Sequence, residues 1–167
     1  MQRNRTPLLS LLLVLFGAAQ ASAQMFVSTG RDTLRGLPGV EIVVEDVPSE
    51  LRHRELATDA LRASVEQRLR AAGITVYGNQ AANPSTAKAY VYVQLTALPL
   101  PGGVNAASIQ VHVRQTVRSS VTESNIVNAM TWDVHTIAAV KAGESALLRD
   151  LVLEMVGQFV DDWRAVH

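Results

Sequence analysis

Three long segments follow one another in which apolar and polar residues alternate one for one, over 89–98, 108–118 and 128–137. In the first, Val91, Val93, Leu95 and Ala97 share one face, and Tyr90, Tyr92, Gln94 and Thr96 the other. In the second, Ile109, Val111, Val113 and Val117 oppose Gln110, His112, Arg114, Thr116 and Arg118. In the third, Met130, Trp132 and Val134 are expected inward, and Thr131, Asp133 and His135 outward. Period-2 alternation of this length demands a sheet covered on one side only, because a strand buried on both faces is apolar throughout.

The cover must be helical. From about Leu56 to Ala72, Leu61, Val65 and Leu69 recur every four residues, opposite the ladder Arg62, Glu66 and Arg70. Thr58 or Asp59 is expected to cap this helix and Gly73 to end it. From about Ser145 to Ala165, Leu148, Leu151, Val152, Met155, Phe159 and Trp163 form a second apolar stripe. Asp161 and Asp162 are expected off that stripe, pointing about 100° apart and unable to converge on a metal. Two shorter strands, Val40–Asp46 and Ile74–Tyr77, flank the first helix, an order that gives a parallel crossover. The whole reads β-α-β-β-β-β-α, an α+β two-layer sandwich with one mostly antiparallel sheet and both helices on one face.

Ahead of this domain, 40–167, lie two other segments. Residues 1–23 carry Arg3 and Arg5, an apolar run from Leu8 to Ala19, and Ala21-Ser22-Ala23, the pattern of a cleavable secretory signal. The run is about 12 residues, whereas a spanning helix needs roughly 20. Residues 24–39 are glycine-rich and expected to be irregular or loosely attached. The chain has no cysteine, which excludes disulfides, thiolate metal sites and lipidation of a cysteine at the cut. Lys+Arg and Asp+Glu number 15 each, so the basic excess of a general nucleic-acid binder is missing. A periplasmic or secreted product without stable membrane insertion follows.

The outward residues define the candidate site. Pairing 89–98 with 108–118 through the Pro99–Gly103 turn places Tyr92 beside His112 and Tyr90 beside Arg114. Centring the next loop near Ser124 sets His112 opposite His135, Arg114 opposite Asp133 and Thr116 opposite Thr131, with slips by two residues as the serious rivals. The open face then carries Tyr90, Tyr92, His112, Arg114, Asp133 and His135. Tyrosine and arginine offer the contact area enriched in protein interfaces. Two imidazoles can instead hold zinc or copper, but a third ligand is not evident. His112 with Asp133 could act as an oriented base in a hydrolase, yet no serine stands in a nucleophile motif. The expectation is a non-enzymatic exported domain, without cofactor or resident metal, binding another envelope protein. A small-ligand or metal carrier is the alternative, and self-association is compatible with the same face.

The run TDALRASVEQRLRAAGITV from Thr58, then AYVYVQL, TWDV and the closing LVLEMVGQFVDDWRAV, resembles a class of small exported bacterial proteins of unknown function. The order of elements is similar to that of the amino-terminal domain of TolB, the curli-export lipoprotein and the lipoprotein activators of penicillin-binding proteins. That resemblance implies an α+β envelope adaptor or assembly module, with no catalytic residues to carry over. The missing lipidated cysteine departs from the lipoprotein members.

Overall fold

A computed structural model describes residues 28–141 and 144–167. The expected signal segment, 1–23, lies outside the described residues. Five strands and two helices follow in the order β1 (Val40–Val44), α1 (Thr58–Ala71), β2 (Val76–Tyr77), β3 (Tyr90–Leu100), β4 (Val104–Arg118), β5 (Asn125–Lys141) and α2 (Ser145–Val166). They form one mixed sheet ordered β2-β1-β3-β4-β5. β1 runs parallel to both neighbours, and β3, β4 and β5 are antiparallel. This is an α+β sandwich with both helices on one face.

The alternation explains the packing. Val91, Val93, Ile109, Val111, Val113, Trp132 and Val134 are all buried, in one cluster with Leu61, Val65 and Leu69 of α1 and Leu148, Val152, Met155 and Phe159 of α2. Their polar neighbours along each strand therefore face away from the helices. β3 and β4 pair with Tyr92 opposite His112 and Tyr90 opposite Arg114, the register the alternation and the turn dictate.

The β4–β5 register differs from expectation by the two-residue slip. His112 faces Asp133 rather than His135, and His135 faces Gln110. Arg114 faces Met130, not Asp133, and Thr116 is not paired with Thr131. The loop closes between Arg118 and Asn125, centred between Val121 and Thr122 rather than near Ser124, and this sets the slip. Farther along the strands a bulge changes the pairing by one residue. Val113 opposes Trp132 while the next residue, Arg114, opposes Met130, leaving Thr131 as the extra residue. An extra residue reverses the alternation beyond it, so Met130 turns outward and is 58% exposed instead of buried.

Three smaller expectations change as well. The cap of α1 is Ala57, without a side-chain bond, because the Thr58 hydroxyl instead accepts the Val47 N–H at 3.2 Å. Residues 28–39 contain one 3-10 turn, Arg31–Leu34, and otherwise little regular structure, yet they are firmly docked. Leu34 is fully buried, and Thr29 bridges Asp133 on the outer edge of β5. Finally, Asp162 is not off the apolar stripe but 1% exposed. Its carboxylate accepts hydrogen bonds from the Ser28 hydroxyl, from Arg31 Nε at 2.7 Å and from the Trp132 indole at 2.9 Å. Gly30 lets this strap lie down. Its φ is +80°, and a β-carbon there would stand 1.8 Å from the Thr131 carbonyl oxygen.

Candidate functional site

The register arranges the helix-free face in rows across the strands. Tyr77, Glu41, Tyr90, Arg114 and Met130 make one row. Val43, Tyr92, His112 and Asp133 make the next. Gln94, Gln110 and His135 make the third. All six residues expected on this face lie on it. Glu41, Val43, Glu45 and Tyr77 join them. The alternation of 40–46 already set both glutamates on its polar side, but only the strand order reveals that β1 lies next to β3.

The centre is a stack. Tyr92 and His112 lie nearly parallel, 18° between planes and 5.0 Å between ring centroids. Arg114 reaches over the Tyr92 ring, its guanidinium carbon 5.6 Å from the centroid, and donates through Nε to His112 Nε2 at 3.1 Å. Cation–π attraction and a hydrogen bond thus fix the same guanidinium. The Tyr92 hydroxyl donates to Glu45 at 2.6 Å. That bond, then burial and the negative charge of Glu45, push the phenol up to about 12. Tyr92 is thus anchored at its hydroxyl and stacked on His112, which in turn holds Arg114.

His112 departs from expectation in exposure. Only 3% of it reaches solvent, because Tyr92 and Arg114 cover it on the outer side. Burial, then the neighbouring Arg114 charge, lower its pKa below the ordinary histidine value, while Asp133 and Glu45 pull the other way. Nε2 is the acceptor, so the ring proton sits on Nδ1. A metal at Nε2 would have to displace Arg114. His135 is exposed and lies 3.5 Å from Asp133 through Nδ1, and the Asp133 carboxylate also receives the Thr29 hydroxyl. The pocket between these groups holds only about 50 Å³. No group of three or more metal-ligating side chains occurs among the described residues.

The lowered His112 pKa has a consequence for stability. Unfolding restores an ordinary imidazole of pKa about 6.5, which takes up a proton that the folded ring refuses. The stabilisation is complete above that value and is lost as pH falls toward the folded pKa. The urea midpoint is expected to drop between pH 7 and pH 5, and His112→Gln, which keeps an acceptor for Arg114, is expected to flatten that slope. An unchanged slope in the variant would assign the acid sensitivity elsewhere.

No family model and no curated protein sequence matches this chain. The solved structures this chain is similar to include two of low identity. One is a dodecamer of a PelC point variant from Paraburkholderia phytofirmans, 12% identical, with a TM-score of 0.44, covering 79% of this chain and 95% of that one. The other is a minor lipoprotein from Acinetobacter baumannii, 10% identical, with a TM-score of 0.40, covering 78% and 93%. Among the described residues no helix is long and apolar enough to cross a membrane.

Proposed function

We propose that this chain is an exported, non-enzymatic module that binds another protein of the cell envelope through the helix-free face of its sheet. The observation that carries this is the Tyr92–His112–Arg114 stack. An aromatic ring, an imidazole and a guanidinium are immobilised together on the uncovered side, with the Tyr92 hydroxyl anchored on Glu45. Interfaces gain affinity from such pre-ordered aromatic and arginine side chains, since little rotamer freedom remains to be lost on association. The secretory pattern of residues 1–23 supports placement in the envelope.

Photo-crosslinking in the native envelope tests this. A photoreactive residue at Gln94 or His135 on the outer face is expected to give a discrete protein adduct, and one at Arg62 on α1 is not. Combining either probe with Tyr92→Ala and Arg114→Ala is expected to abolish the adduct while the far-ultraviolet circular dichroism stays native. Equal adducts from Arg62, or adducts that survive the double substitution, would count against the proposal.

A further inference from the structure

All three tyrosines of the chain, Tyr77, Tyr90 and Tyr92, stand on the helix-free face, and two of them flank Glu41 in the same row. Adjacent strands are about 4.8 Å apart, so Glu41 lies between two aromatic side chains in direct lateral contact range. Gly39 lies close by: a β-carbon there would come within 2.5 Å of the Thr75 carbonyl oxygen and 2.8 Å of the Tyr77 ring.

The Glu41 carboxylate has no hydrogen-bond partner among the described residues, and of its two oxygens only Oε2 is fully enclosed. Enclosing half a carboxylate without a donor is costly, and native structures rarely leave a polar atom so. The basic side chains on neighbouring segments do not relieve it. Arg114 turns to His112 and the Tyr92 ring, Arg70 to Glu66 and the Val76 carbonyl, and Lys88 to the Gln80 and Asn83 carbonyls. Glu45, by contrast, is satisfied by the Tyr92 hydroxyl.

We infer that Glu41, Tyr77 and Tyr90 form a receptor for one basic side chain, lysine or arginine, presented by the protein that docks on this face. The carboxylate supplies the charge partner, and the aromatic side chains on either side, Tyr77 half-buried and Tyr90 only 9% exposed, border the approach and favour a cation over a neutral group. The inference rests on the docking function proposed above and names the chemistry of its occupant. It also divides the face into two parts of opposite preference, since the Arg114 end presents a fixed cation and the Glu41 end an unpaired anion.

The test uses model side-chain heads and nuclear magnetic resonance of the tyrosine ring protons in the folded protein. n-Butylammonium and n-propylguanidinium are expected to shift Tyr77 and Tyr90 saturably, and uncharged butyramide is not. Glu41→Gln preserves shape and is expected to weaken the cation response at least ~10-fold, about 1.4 kcal/mol. Tyr77→Leu, which keeps an apolar side chain but removes the ring, is expected to weaken the response read at Tyr90 independently. Equal shifts with butyramide, or an undiminished cation response in Glu41→Gln, would overturn the inference. Face-specific crosslinks without a cation response refute this receptor and leave the docking function standing. A cation response without face-specific crosslinks refutes a protein as the occupant.

Discussion

Replacing Asp162 with alanine is expected to destabilise the protein by about 3 kcal/mol and to free its amino-terminal strap. The carboxylate is the common acceptor for three donors from two distant parts of the chain: Ser28 and Arg31 on the strap, and Trp132 on β5. Without it the buried indole N–H has nowhere to donate, and Arg31, 57% exposed, returns to water at small cost. The loss is therefore dominated by the orphaned donor and the strap's packing rather than by the ion pair. Urea unfolding measures the loss. Trypsin cleavage at Arg31 and faster amide exchange at Thr29 and Asp133 identify its location, and Gly30→Ala is expected to reproduce both signs. A destabilisation below about 0.5 kcal/mol would show that the strap is held by its other contacts, Leu34 in the core and the Thr29–Asp133 bridge, without Asp162. Burial pushes the Asp162 pKa up, but the bonds from Ser28, Trp132 and Arg31 and the charge of Arg31 bring it below the usual carboxylate value. Its contribution is thus present above the ordinary aspartate range and is lost as pH falls through the lowered folded value.

Asp162 also marks where reading along a sequence stops. Helical spacing places it beside the apolar stripe, but its burial depends on residues 28–31, more than a hundred positions away. Nothing local encodes that encounter. The β3–β4 pairing was legible for the opposite reason. Both strands alternate strictly, and the intervening Pro/Gly turn leaves one register that keeps every apolar residue inward. The β4–β5 pairing has equally clear alternation over Val111, Val113, Trp132 and Val134, but its loop is polar and its strands are irregular. The loop closes between Arg118 and Asn125 rather than around Ser124, and the resulting pairing still keeps Val134 and Trp132 in the core. Period-2 patterning cannot detect a slip of two, and His112 consequently meets Asp133 instead of His135.

The candidate face follows the same division. Tyr90, Tyr92, His112 and Arg114 could be grouped from two strands in sequential contact. Glu41 and Tyr77 could not, because β1 and β2 join the sheet on the far side of β3 through a parallel crossover. The unpaired carboxylate is accordingly the part of the face that required three dimensions. His112 was legible in position but not in exposure, since its burial arises from the side chains laid across it and not from the helices.

Trp132 should be the most sensitive position in the core. It is 1% exposed, meets Phe159 edge-on at 5.2 Å between centroids, and donates its indole proton to Asp162. Trp132→Ala removes the largest fully buried side chain and leaves a cavity between β5 and α2, for which the expected cost is about 3–5 kcal/mol. Domains of this kind have total stabilities of about 5–15 kcal/mol, so the variant should unfold at markedly lower urea and expose the strap. Trp132→Phe separates the two contributions. It keeps most of the ring volume but withdraws the donor from a buried carboxylate, for an expected loss of about 1.5–3 kcal/mol. In an Asp162→Asn background, where the acceptor is neutral, the Phe substitution should cost less than in the native chain, and this double-mutant difference reports the indole–carboxylate bond itself. Additivity of the two substitutions would mean that Trp132 stabilises the sandwich by packing on Phe159 alone, and that Asp162 serves only the strap.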